Sequence, residues 1–160
     1  MEPAWIKKAR TYIGMKEIPG PKHNTVILGW LATLKAWWRD DETPWCGVFV
    51  AYIIRETLGD AGMPKYWMRA KEWASYGSPL HKGAPGAILV FDRTGGGHVG
   101  FYIGEDDTRY YVLGGNQSNA FNITPILKNR CTAIRWPLGV GPAGGPVRYS
   151  SAQAASVNEA

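Results

Sequence analysis

The stretch Asp41-Glu42-Thr43-Pro44-Trp45-Cys46-Gly47-Val48-Phe49-Val50 reads as the start of a helix with a cysteine in its first turn. Thr43 is a natural N-cap, and Pro44 suits the first helical position, where its missing N–H has no intrahelical partner to lose. An apolar run then continues to Leu58. Cys46 falls three residues past this cap, where unpaired N–H groups and the positive end of the helix dipole favour a thiolate and lower the thiol pKa. The first functional expectation is therefore a cysteine nucleophile.

Upstream, Trp5, Ile6, Ala9, Tyr12 and Ile13 recur at helical spacing, which predicts a helix from Pro3 to Ile13 with Gly14 as its stop. Residues 17–23 are too rich in Pro and Gly for regular structure. Asn24 then caps a second expected helix carrying Val26, Ile27, Trp30, Leu31 and Leu34. Downstream, a short helical piece at 69–76 leads into a Gly/Pro-rich turn, and the pattern changes to period two. Strands are expected at 87–91, 98–103, 109–114, 131–136 and, more weakly, 120–123. Helices first and an antiparallel sheet after them make an α+β domain over 1–137. From Gly139 the chain is Gly, Pro and small polar residues that cannot build a core, so 138–160 reads as a flexible tail.

With 45% apolar and 19% charged residues among 160, the composition is that of a soluble domain, and no apolar run approaches the ~20 residues of a membrane span. The N-terminus lacks the apolar core of a secretory signal, so synthesis in the cytoplasm is expected. Two cysteines without CxxC spacing provide no disulfide framework, and Cys131 reads as a strand residue. Cys46, His98, Cys131, His23 and His81 show neither zinc-finger nor HExxH spacing, so neither a metal nor any other cofactor is expected. The net charge of +5 favours weak association with anionic envelope polymers, whereas cations scattered among acids argue against nucleic acid.

A nucleophilic thiol needs a base and a group that orients it. His23 and His81 lie in loops, but His98 opens a strand in Gly95-Gly96-Gly97-His98-Val99-Gly100, where glycines leave room for close approach of another chain segment. If residues 106–108 form the hairpin loop, Glu105 pairs with Arg109, Phe101 faces Leu113, Gly100 faces Gly114, and His98 lies across from Asn116. Cys46, His98 and Asn116 then match a Cys-His-Asn triad in type and chain order.

With these residues the chain resembles the papain-like peptidoglycan hydrolases of the NlpC and CHAP superfamily, in the branch of phage endolysins and related cell-wall amidohydrolases, over roughly residues 3–137. The carriers are Lys16 to Asn24, Thr43 to Val50, Gly97-His98-Val99-Gly100-Phe101-Tyr102, and Gly114-Gly115-Asn116-Gln117. The resemblance implies Cys46 as nucleophile, His98 as base and Asn116 as the orienting residue. Trp45 and Asp41, beside the start of the Cys46 helix, and Tyr102 and Gln117, beside the expected base and orienting residue, are expected at the substrate. Trp45 stands where better-known members have Asp. The implied reaction is hydrolysis of an amide in the peptide part of bacterial peptidoglycan, as an endopeptidase in preference to an N-acetylmuramoyl-L-alanine amidase. It implies a monomer that reaches the wall after release from the cytoplasm. A non-catalytic wall-binding module and an antibacterial amidase effector are the alternatives.

Overall fold

The computed structural model describes residues 2–15, 25–35, 45–115, 117 and 120–157. Helices α1 (Ala4–Arg10), α2 (Thr25–Thr33) and α3 (Cys46–Leu58) precede the sheet, with a 3₁₀ helix at Ala70–Ser75. The strands are β1 (Ser78–Pro79), β2 (Ile88–Arg93), β3 (Gly96–Glu105), β4 (Arg109–Gly114), β5 (Asn122–Leu127) and β6 (Cys131–Trp136). They pair antiparallel in the order β1-β6-β2-β3-β4-β5. The expected α+β arrangement is the one the chain adopts.

Helix α3 is the hub of the core. Residues 46–51, Ile53 and Ile54 are buried because β3 covers one side of the helix and α1 and α2 cover the other. Aromatic rings fill the gaps, with Phe49 4.5 Å from Phe121 and 5.7 Å from Trp30 between centroids. Helix α1 stops at Arg10 rather than Ile13, and three further residues turn down to Gly14, whose φ of 97° only glycine adopts readily. Gly14 N–H donates to the Phe121 carbonyl and Phe121 N–H to the Met15 carbonyl, each at 2.9 Å, clipping this corner to the sheet side.

Two expectations shift. Helix α3 begins at Cys46 with Trp45 as N-cap, whose carbonyl accepts from Phe49 N–H at 3.0 Å. Cys46 is thus the first helical residue rather than the third, and the expected caps Thr43 and Asn24 lie outside the described residues. The β3–β4 turn is also tighter than a 106–108 loop. Asp106 N–H donates to the Arg109 carbonyl, the Asp106 carboxylate accepts from the N–H groups of Thr108 and Arg109, and Glu105 pairs with Tyr110. A bulge between Tyr102 and Gly104 then returns the ladder to Phe101 opposite Leu113, the expected pair. Without that extra residue, one face of β3 would exchange with the other at His98.

Residues 138–157, expected as a flexible tail, lie along the sheet. Glu105 N–H donates to the Val147 carbonyl and Tyr149 N–H to the Glu105 carbonyl, at 2.8 and 2.9 Å, while Arg109 donates to the Gln153 carbonyl at 2.7 Å. The Tyr149 ring packs 4.6 Å from Tyr111, and a Cβ at Gly104 would sit 2.6 Å from the Cβ of Tyr149. The segment packs against the Glu105 end of β3 instead of forming a core of its own. Ending the chain after Pro137 is expected to lower its urea unfolding midpoint, with far-UV circular dichroism unchanged in shape; an unaltered midpoint would show that these contacts add nothing to stability.

Candidate active site

Cys46 stands at the start of α3, 5% exposed. Burial pushes its thiol pKa up. The backbone N–H groups of Val99, Gly47 and Cys46 itself, together with the Arg93 charge, act in the opposite direction without overcoming it. The lowered thiol pKa expected from sequence is therefore not met, because desolvation outweighs the N–H groups and the Arg93 charge. The Val99 N–H at the sulfur also places the thiol beside the strand position that follows His98.

His98 is fully buried on β3, opposite Phe91 of β2. Its Nε2 lies 2.9 Å from Oε1 of Gln117. The amide nitrogen of Gln117 donates to the carbonyls of Val112 and Asn122 and to Oδ1 of Asn122, at 3.2, 2.8 and 2.7 Å, so the oxygen of the amide must face the imidazole. Asn122 is held in turn by donating to the Gln117 carbonyl and by accepting from the Thr124 hydroxyl. A carbonyl oxygen can only accept, so Nε2 carries the proton and Nδ1 is the basic nitrogen of the neutral ring.

Gln117, expected at the substrate, is therefore the residue that touches His98. Asn116, expected in that part, lies outside the described residues, as does Asp41. The signal available in sequence was the pair of adjacent amides after Gly114-Gly115. Which amide turns inward depends on the chain path beyond β4, which period-two reasoning does not reach. Trp45 is 1% exposed, with its ring 4.2 Å from Phe121, and so packs the core under the site rather than presenting a face to substrate. Tyr102 is fully buried further along β3, its hydroxyl donating to Glu105 and accepting from Val147 N–H, and is not brought to Cys46.

Three glycines let these parts approach. A Cβ at Gly47 would meet the Trp67 and Met68 carbonyl oxygens at 2.7 Å. At Gly114 it would lie 3.0 Å from Gln117 Oε1 and 3.5 Å from His98 Nε2, and at Gly115 it would strike the Trp45 and Phe121 rings. Cys46 opens onto a cleft of about 310 Å³ whose walls include Met68, Arg69, Lys71, Arg93 and Gly97. Alkylation of Cys46 by iodoacetamide should rise with pH to a midpoint above that of a free cysteine, and the midpoint should rise further in Arg93→Gln. A wild-type midpoint well below the free-thiol value would mean that a thiolate is preformed in the empty site.

Residues 38–116 match the family model described as CHAP domain. A comparison with curated proteins finds no match. The matched span takes in Cys46, the cleft and His98, and the helix-then-sheet order is that of a papain-like CHAP fold. That match, over 79 of the 160 residues, supports a peptidoglycan hydrolase of the CHAP/NlpC type.

Proposed function

We propose that the protein hydrolyses an amide bond in the peptide part of peptidoglycan by cysteine catalysis, with Cys46 as nucleophile, His98 as general base and Gln117 as the residue that orients His98. The observation carrying this reading is the His98 Nε2 to Gln117 Oε1 hydrogen bond, made beside a cysteine that starts a helix. Burial keeps the resting thiol protonated, so His98 Nδ1 takes the proton from Sγ as the substrate carbonyl arrives. Sγ attacks the carbonyl carbon, and the oxyanion is stabilised by N–H groups at the α3 N-terminus. The imidazolium then protonates the leaving amine. Water attacks the thioester with Nδ1 accepting its proton, and the acid product leaves as the thiol re-forms.

Endopeptidase action is favoured over cleavage next to muramic acid. Among the described residues, the cleft beside Cys46 is walled by cations and Met68 with no aromatic face on which a sugar could stack, which suits peptide on both sides of the bond. The net charge of +5 supports weak adhesion to the anionic envelope, as an endolysin-like enzyme acting on the wall would use.

Mass spectrometry of digested peptidoglycan tests this. Wild type should yield shortened stems or opened cross-links, and Cys46→Ala none. Gln117→Leu should be slower by roughly tenfold to a hundredfold, the scale of a general base losing its alignment. Gln117→Glu should recover part of the rate, because a carboxylate still accepts from Nε2. Release of intact stems would assign the amidase reaction instead, and wild-type products indistinguishable from those of Cys46→Ala would leave only a wall-binding module.

A further inference from the structure

We infer that the cleft beside Cys46 is a subsite for a free carboxylate of the stem peptide, bound by Arg93 and Arg69 with Lys71 at its rim. The inference names the substrate group that the proposed hydrolase recognises, and so it rests on that reading for its link to cleavage.

The cleft carries three cations within one small opening that the proposed nucleophile shares. Lys71 pairs with Asp92 at 3.1 Å, but both side chains are more than half exposed, so the pair is weak and exchangeable. Arg93 donates from Nε to the Gly97 carbonyl at 3.2 Å and from Nη1 to the Thr94 carbonyl at 3.4 Å. These bonds orient the guanidinium without neutralising it. Arg69 lies over the Tyr66 ring at 4.9 Å, which again positions the cation and leaves its charge. Among the described residues, neither guanidinium is paired with a carboxylate.

The backbone is shaped for the same end. Arg93 pairs across the β2–β3 hairpin with Gly96, and Asp92 with Gly97, so no side chain stands on that floor. A Cβ at Gly97 would sit 2.7 Å from Lys71 Cγ, and at Gly96 it would lie 3.8 Å from Arg93 Nη2. Two planar guanidiniums set around an opening suit the flat, two-oxygen geometry of a carboxylate better than a neutral amide. A peptide whose scissile carbonyl rests at Cys46 Sγ places its neighbouring residue in this cleft, where a free carboxylate would meet the cations. Arg93 and Cys46 line the same cleft, so the guanidinium lies beside the proposed nucleophile.

The test separates recognition from cleavage by measuring binding to Cys46→Ala protein, which cannot form the thioester. Isothermal titration would compare a synthetic stem peptide with free carboxylates against the same peptide with those groups converted to amides. The carboxylate form should bind about tenfold tighter or more, the scale of a charged hydrogen bond. The preference should shrink towards unity when Arg93→Gln or the exposed Arg69→Gln is added, and persist with Lys82→Gln, at an exposed lysine that does not line the cleft. Equal affinity for the two peptides, or a preference that survives both arginine substitutions, would overturn the inference. Preference without wild-type hydrolysis would uphold the subsite while removing the proposed reaction; hydrolysis without preference would do the reverse. Because Arg93 also braces the hairpin, Arg69→Gln keeps the test valid if Arg93→Gln does not fold.

Discussion

The hydrogen bond from His98 to Gln117 selects which nitrogen of the proposed base can accept a proton, and much of the sheet is arranged to make that bond possible. A neutral imidazole has one donor and one acceptor. Gln117 settles the choice because its amide nitrogen is already committed to Val112 and Asn122, and reversing the amide would set donor against carbonyl. Asn122 and Thr124 carry the network into β5, so groups from β3, β4 and β5 meet around the Gln117 amide. Buried polar groups are costly when half satisfied, which gives the network its rigidity as a unit.

The proposed nucleophile comes from the other layer. Helix α3 brings Cys46 against β3, and the close fit there relies on what is missing: no side chain at Gly47 towards Met68, none at Gly114 towards His98 and Gln117, none at Gly115 towards Trp45. This packing also explains the chemistry. Drawing the helix start into the core desolvates the thiol and raises its pKa despite the nearby N–H groups and Arg93. A buried neutral thiol reacts slowly with oxidants, because the thiolate is the reactive form.

Much of this was legible in the residues because period-two alternation and turn chemistry are local. Strands β4 and β6 fall at 109–114 and 131–136, the ranges that alternation marks, and Phe101 pairs with Leu113. The start of α3 was read two residues early because Thr43 and Pro44 carry strong cap signals, whereas the helix itself begins at Cys46. The bulge at Ile103 was invisible: a tighter turn and an extra strand residue compensate one another, and the pairing near His98 looks the same without them. The contact of Gln117 with His98 is not legible in the residues, because alternation says nothing about a chain that leaves its strand. Composition marks 138–157 as poor in core-forming residues, yet it does not show that the end of β3 offers this segment backbone partners.

The account stands most directly on the tautomer of His98. Nitrogen-15 chemical shifts of the three histidines, assigned by loss of one signal set in His98→Gln, would read it at neutral pH. The account predicts a protonated Nε2 coupled to its own hydrogen and an unprotonated Nδ1 for His98, with that bias reduced in Gln117→Leu. A proton resident on Nδ1, or a tautomer indifferent to Gln117, would contradict the arrangement from which the proposed catalysis follows.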